Sequence, residues 1–341
     1  MTVMDTRTKG RSAPEVLDWC RSFVDPAMRA AVERLPASIH PIAGYHFGWL
    51  DEHGQPVEGD TGKLFRPALT LLAAEAVGAD PADAIPAAVA VEFVHNFSLL
   101  HDDVMDGDVT RRHRPTAWAV FGTGTAILAG DSLLTVALET LAETPKAMRV
   151  LSAAVNALVD GQIADVTFEQ RSDVELAECV RMAEAKTGAL LGASCVLGAM
   201  FGGGTEDQIT RLGEFGRNLG LAFQHVDDLL GIWGDSAVTG KPIYSDLQNR
   251  KKSLAVVAAL NSGTPAGDEL ATLYLQEHDL SDSELVRAAE LIDTAGSRTW
   301  SQSRADALLA DALNDLLAAT PAPIAAAELA ALAKLATRRT H

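Results

Sequence analysis

Two long apolar stretches in this chain each run straight into a cluster of aspartates, and few folds accept that arrangement. The first stretch, with Val91, Phe93, Val94, Phe97, Leu99 and Leu100, ends in His101-Asp102-Asp103-Val104-Met105-Asp106-Gly107-Asp108 and then Arg111-Arg112. The second, with Leu219, Leu221, Ala222, Phe223 and Val226, ends in Asp227-Asp228-Leu229-Leu230 and runs on to Gly234-Asp235 and Lys241. On a helix, residues four apart share a face, so the carboxylates of Asp102 and Asp106 stand together. Like charges so placed repel, and burial raises the cost. A hard divalent cation resolves the conflict, and Mg²⁺ favours one or two carboxylates completed by phosphate oxygens and water. Basic residues after each cluster point to a phosphate ester as the substrate.

An acidic helix end by itself is more often a solvated face than a metal site. Two clusters, each at the end of an apolar helix, favour the metal. Lys63 and Arg66, three apart at the start of the apolar segment that precedes the first of these stretches, would share a helical face where backbone N–H groups also favour phosphate. His95 and Lys186 lie among apolar neighbours. A satisfied core histidine and a snorkelling lysine are their ordinary explanations.

Alanine and leucine dominate the 48% hydrophobic content, aromatics are only 5%, and alternating β-branched runs are scarce, so the pattern is helical. Helical periodicity covers 14–35, 63–76, 84–106, 117–141, 147–170, 173–200, 205–233 and five shorter segments from 251 to 338. Residues 36–60 and 234–249 read as loops, and Arg112 to Thr116 as a turn. No fixed repeat and no linker divides the chain. The expected fold is all-α: a disordered tail at 1–12, then one large helical domain over 13–341 around a central cavity.

Charge narrows the partners. With 28 basic against 46 acidic residues the net charge is −18. Nucleic acid and anionic membrane surfaces are poor partners for such a chain, so an anionic substrate needs a locally basic or metal-loaded site. The three cysteines, Cys20, Cys179 and Cys195, match no metal spacing and suit reduced thiols in the cytoplasm. No apolar run reaches membrane-spanning length without a charge or glycine break, so stable membrane insertion is not expected.

Together these segments resemble the trans-isoprenyl diphosphate synthases, the polyprenyl synthetase family. The matching elements occur in order: Gly62-Lys63-Leu64-Phe65-Arg66-Pro67, His95, Asp102-Asp103-Val104-Met105-Asp106 with Arg111-Arg112, Gly130-Asp131, Gly161-Gln162 to Asp165, Lys186-Thr187-Gly188, Phe223-Gln224 to Asp227-Asp228, Gly240-Lys241 and Asp246-Leu247. The resemblance implies the isoprenoid synthase bundle and Mg²⁺-dependent condensation of isopentenyl diphosphate with an allylic diphosphate. It assigns three Mg²⁺ ions to Asp102, Asp106 and Asp227, with Asp103, Asp165 and Asp228 auxiliary. It gives the allylic diphosphate to Arg111, Lys186 and Lys241, and isopentenyl diphosphate to Lys63, Arg66, His95 and Arg112. Thr187 and Gln224 would face the carbocation. The protein would be a homodimer.

Phe97 and Ser98, five and four positions before Asp102, would set product length. Small at 98, aromatic at 97, and no two-residue insertion in the first motif is the pattern of bacterial geranylgeranyl diphosphate synthases; a farnesyl or longer product is the alternative. One departure stands out: the second motif usually ends in a third aspartate, and this chain has Gly231. Asp235 would supply an outer carboxylate if the helix reaches it. The departure keeps a class I terpene cyclase in view, although the Gly-Lys-x-x-Arg-Pro signature argues against it. A non-catalytic subunit would be expected to lose the metal aspartates, and a di-iron bundle needs Glu-x-x-His pairs that are not suitably placed.

Overall fold

Leucine and alanine at helical spacing carry most of this chain into helix. The computed structural model describes residues 10–57, 59, 61–235, 243–276 and 278–338. Among these, paired strands are confined to the hairpin of β1 (Thr110–Arg111) and β2 (Arg114–Pro115). The helices gather into two compact units: Met1–Ala153, Ala193–Gly213 and Asp315–Leu332; and Ala154–Gly192, Glu214–Asn314 and Ala333–His341.

In the first unit, α1 (Ala13–Val32) is opened by a Ser12/Glu15 capping box. It buries one stripe of Val16, Cys20, Val24 and Met28. Of the expected disordered tail, residues 1–9 lie outside the described residues. Arg11 is tied down by Glu75 at 2.7 Å and Glu328 at 2.9 Å, and lies over the Trp19 ring. A further helix, α2 (His40–His46), sits where the sequence reads as loop. Pro41 lies in its first turn, a position that suits helix initiation rather than breaking it. Phe47, just beyond it, stacks on Trp49 and touches Phe93.

Two helices of this unit position one group of site residues, Arg66 on the first and His95 to Asp103 on the second. Helix α3 (Phe65–Ala76) packs on α4 (Ile85–Met105), which is entered through a 3₁₀ turn at Pro81–Ala84. Helix α4 is buried continuously from Ala87 to Val94, so its apolar length belongs to a packed interior. It also packs on α1 and on α6 (Thr123–Thr140), which follows the short α5 (Ala117–Phe121). The expected helix start at Lys63 is corrected. Leu64 is left-handed (φ 51°) and α3 opens at Phe65, so Lys63 precedes the helix and shares no helical face with Arg66.

Helix α7 (Pro145–Glu169) is followed by α8 (Leu176–Ala183), which passes through a π turn at Glu184–Gly188 into α9 (Ala189–Phe201). Helix α10 spans Glu206–Trp233. The second unit continues with α11 (Ser245–Gln248), α12 (Leu254–Leu260), α13 (Pro265–Tyr274), α14 (Asp282–Thr294) and, as far as Asn314, α15 (Ser297–Ala318); α16 is Pro323–Thr337. Its main core joins Leu229 and Ile232 of α10 to Leu247, Val256, Leu270, Leu285 and Ile292. The loop expected at 234–249 falls partly on 236–242, which lie outside the described residues, and its end is α11.

Candidate active site

The apolar body of α4 fixes where the first aspartate cluster stands. Asp106 caps the helix, and its N–H donates to the Asp102 carbonyl at 2.8 Å. The two carboxylates are therefore one turn apart at the helix end, with Asp106 exposed and Asp102 half-buried. Asp103 turns inward and is only 1% exposed. Its Oδ1 accepts from Nε and Nη2 of Arg111, each at 2.7 Å. Burial pushes the Asp103 carboxyl up, and the guanidinium offsets part of that.

Arg111 lies on β1, and the turn that follows is costly. Arg112 and His113 both adopt positive φ, 50° and 59°. These are the central positions of a two-residue hairpin turn, where Asn-Gly is the unstrained choice. Left-handed non-glycine residues cost on the order of 1–3 kcal/mol each, and such strain concentrates at functional sites. The turn helps form a cleft lined by His46, Asp103, Arg111, Arg112 and Arg114. Three guanidinium groups around one cleft suit a diphosphate. Arg114 itself is anchored by the Leu50 carbonyl at 3.0 Å.

The residues assigned by resemblance to isopentenyl diphosphate gather in the same unit. A side chain at Gly62 (φ +79°) would strike the Arg112 guanidinium, which places the exposed Lys63 in the segment beside Arg112. From α1, Arg21 Nη2 donates to the Gly62 carbonyl at 2.8 Å. Burial, reinforced by the charges of Arg66, Arg112 and Arg111, holds His95 well below the usual histidine range. His95 is therefore neutral at physiological pH and has one N–H to donate. Beneath this group lies Glu92, buried, with its pKa raised by burial and lowered in turn by Arg66, Asn96, Arg112 and Arg21. Asn96 Nδ2 donates to Glu92 Oε1 at 2.9 Å, and His46 Nε2 meets Asn96 Oδ1 at 3.1 Å. Sequence reasoning missed Arg21, His46, Glu92, Asn96 and Arg114, because each lies outside the motifs or faces inward from a residue that belongs to one.

Two positions toward the interior of α4 carry the length assignment. Phe97 is buried with its ring edge-on to His101 at 4.8 Å, and Ser98 donates to the His95 carbonyl at 2.8 Å.

The second unit holds a different constellation. The π turn carries Lys186 and Thr187, and such bulges recur at functional sites. Lys186 Nζ donates to Asp165 Oδ2 at 2.6 Å, and Lys251 lies 3.9 Å from the same oxygen. Burial opposes ionisation of Asp165, but the two ammonium groups outweigh it and hold the carboxyl below its ordinary range. Thr187 Oγ1 donates to Gln224 Oε1 at 2.6 Å. Gln224 Nε2 donates to Asp228 Oδ1 at 2.7 Å, and the Leu254 N–H donates to Asp228 Oδ2 at 2.7 Å. Asp228 is buried, and its pKa is pushed up to about 7 by burial first and the Asp246 charge second. Asp227, its neighbour, is exposed. Both motifs thus follow one rule: the second aspartate is buried and spent on internal hydrogen bonds, and the first is the more exposed of the pair.

The condition placed on Asp235 is not met, since α10 ends at Trp233 and Asp235 stands past its end. Lys241 lies outside the described residues. Among the described residues no three His, Cys, Asp or Glu side chains are grouped as a metal centre. The donor chemistry of each motif by itself fits Mg²⁺: Asp102 and Asp106 present carboxylate oxygens at the end of α4, Asp227 presents one on α10, and His101, beside Asp102, is engaged with the Ile127 carbonyl at 3.0 Å.

Known proteins resemble this chain over most of its length. Residues 48–292 match the family model described as polyprenyl synthetase. A (2E,6E)-farnesyl diphosphate synthase of Mycobacterium tuberculosis is 48% identical over 307 residues, covering 88% of this chain and 85% of that protein. A geranylgeranyl diphosphate synthase of the same organism is 43% identical over 330 residues, covering 95% and 93%. The crystal structure of a polyprenyl synthetase from Streptomyces coelicolor superposes with a TM-score of 0.91 at 44% identity, covering 95% of this chain and 99% of that one.

Proposed function

The chain belongs to the polyprenyl synthetase family, and from that premise we propose a Mg²⁺-dependent trans-prenyltransferase whose product is geranylgeranyl diphosphate. Trans-isoprenyl diphosphate synthesis, the joining of isopentenyl diphosphate to an allylic diphosphate, is the activity that the relatives support. The observation that carries the reading is the presence of two unlike anion grips in the first unit. Asp102 and Asp106 offer oxygen donors for cations, whereas Lys63, Arg66 and Arg112 offer only N–H donors and neutral His95 adds one N–H. A substrate that arrives with metal and one that arrives without it need that difference.

In this reading Asp102, Asp106 and Asp227 are the residues that would hold Mg²⁺, with three ions expected from the resemblance. Bound Mg²⁺ would neutralise the charge that develops on the departing pyrophosphate. Arg111, Lys186 and Lys241 are the cations that the resemblance gives to the allylic diphosphate. Thr187 spends its hydroxyl proton on Gln224, so its oxygen lone pairs form the negative end of a dipole that Asp228 and the Leu254 N–H hold in place. An allylic cation is stabilised by a dipole so directed. Lys63, Arg66, Arg112 and the His95 N–H orient isopentenyl diphosphate for attack, and the released pyrophosphate accepts the final proton. A homodimer belongs to the same proposal, with the exposed Ile127 and Leu128 of α6 in support; light scattering of the purified protein tests it.

The twenty-carbon product rests on Ser98 and Phe97, one small and one bulky, about one turn before the first motif. A farnesyl product is the second reading, favoured by the 48% identical relative. Supplying isopentenyl diphosphate with each allylic primer and separating the products decides between them. Accumulation of only the fifteen-carbon diphosphate would replace the first reading with the second. Hydrocarbon from the allylic substrate alone would mark a cyclase. Phe97→Ala should lengthen the product beyond twenty carbons; a folded variant with unchanged products would place the floor elsewhere.

A further inference from the structure

The hairpin that carries Arg111 and Arg112 cannot hold its own shape. Its strands are two residues each, with Thr110 opposite Pro115 and Arg111 opposite Arg114. So short a ribbon is not stable alone. Its turn adds strain, because Arg112 and His113 both stand at positive φ without being glycine. The rest of the first unit must therefore hold it. On the first strand, Arg111 is paired with Asp103. On the second, Arg114 Nη2 donates to the Leu50 carbonyl at 3.0 Å and Nη1 to the Tyr45 carbonyl at 3.5 Å. The same guanidinium lies over the Tyr45 ring, 4.3 Å from its centre, and the Tyr45 hydroxyl donates to the Pro115 carbonyl at 2.8 Å. Residues 45–50 thus grip β2 by backbone, ring face and hydroxyl.

The gripping segment is itself fixed. Tyr45 belongs to α2 and is buried, its ring edge-on to Phe121 at 5.2 Å. The N–H groups of Trp49 and Leu50 both donate to the Gly44 carbonyl, at 2.9 and 3.1 Å. Leu50 packs so closely on Gly44 that a Cβ there would be 2.6 Å from its Cδ1. At the other end of the hairpin, the Arg112 guanidinium lies against Gly62, the residue before Lys63; a Cβ on Gly62 would be 2.7 Å from Arg112 Nη2. A shift of the turn would carry Arg112 away from Lys63. We propose that Arg114 and Tyr45 are positioning residues for isopentenyl diphosphate: they hold the strained turn in its left-handed form and so aim Arg112 beside Lys63, acting through Arg112 rather than on the phosphate. The inference deepens the assignment of Arg112 to isopentenyl diphosphate and rests on it.

The test is steady-state kinetics of the full-length protein with each substrate varied, beside thermal melts. Arg114→Met keeps the stem on the Tyr45 ring and removes both donors to the segment. It should raise the KM for isopentenyl diphosphate about fivefold or more and leave the allylic KM and kcat within about twofold. His113 is exposed, and His113→Gly relieves one of the two left-handed positions. Alone it should leave both KM values within about twofold of the parent's, and a rise as large as that of Arg114→Met overturns the proposal. Combined with Arg114→Met, it should return the KM for isopentenyl diphosphate to within about twofold of the parent's, because the turn then keeps its shape with less help. A guanidinium that itself touched the phosphate could not be replaced in this way, so a folded double variant without rescue overturns the proposal. Arg112→Met separates the two levels. If it raises the KM for isopentenyl diphosphate and Arg114→Met does not, the positioning assignment falls and the site reading stands. If Arg112→Met leaves that KM unchanged, the site reading falls and takes the proposal with it. Should Arg114→Met not fold, Tyr45→Phe decides: it deletes only the hydroxyl that holds Pro115 and should raise the same KM about two- to fivefold, with rescue by His113→Gly. An unchanged KM in Tyr45→Phe then overturns the proposal.

Discussion

Replacing Thr187 by valine removes one hydroxyl and keeps the shape, and the structure gives two separate consequences. The first is for stability. Thr187 Oγ1 is the donor to Gln224 Oε1 at 2.6 Å, and Thr187 is only 8% exposed. Losing that donor leaves a half-buried amide oxygen short of a partner, which costs on the order of 1–2 kcal/mol. The second is for chemistry. A dipole that faces a developing cation is comparable to a hydrogen bond with a charged partner, about 1.5–3 kcal/mol. At about 1.4 kcal/mol per decade, kcat should fall roughly 10- to 100-fold. Both KM values should stay nearly constant, because the dipole is assigned to the cation and not to either diphosphate. Thr187→Ser retains the hydroxyl and should keep kcat within about threefold. Steady-state kinetics with each substrate varied, beside thermal melts of both variants, separate the two effects. If Thr187→Val stays folded and keeps kcat within twofold of the parent, Thr187 does not face the cation.

The remaining predictions follow from the inward and outward aspartates and from the cation cluster. Asp102→Asn should cut turnover by orders of magnitude and leave the melting temperature nearly unchanged, whereas Asp103→Asn should lose stability first, because it unpairs Arg111; melts and rates measured side by side check the contrast. Lys63→Ala should raise the KM for isopentenyl diphosphate about tenfold or more with little change for the allylic substrate. Arg21→Met should do the same more weakly, by loosening the Gly62 carbonyl; equal damage to both KM values would dissolve the idea of a separate site. His46 is held neutral, its pKa lowered to about 3 by burial and then by Arg112 and Arg111. A lowered histidine contributes stability that is complete above its unfolded value near 6.5 and is lost as pH falls toward the folded value. Partial exposure reduces the full linkage to the order of 2–4 kcal/mol across that window. His46→Gln should therefore lose less stability than the parent between pH 7.5 and 5, as followed by chemical denaturation, and identical pH profiles would refute the assignment.

What the sequence determined by itself is the class of fold and the chemistry of the motifs. Helical spacing of apolar residues is a local signal, so α4 and α10 were legible along with the aspartate clusters at or near their ends. Local rules failed where a turn or a short helix depends on its surroundings. Pro41 opens α2 inside a stretch that reads as loop, and the left-handed Leu64 delays α3 until after Lys63. The tertiary structure alone decided which member of each aspartate pair faces inward. Helical spacing puts neighbouring residues on different faces but does not say which face is buried, and that depends on Arg111 in one case and on Gln224 and Leu254 in the other. It also brought Glu92, Asn96 and His46 into one buried network from separate helices. Gly231 marks the boundary most sharply. In sequence it is a lost carboxylate; in three dimensions it is the space that the Asp246 carboxylate fills, a contact across 15 residues that no local pattern encodes, because it depends on where the core fastens Leu247.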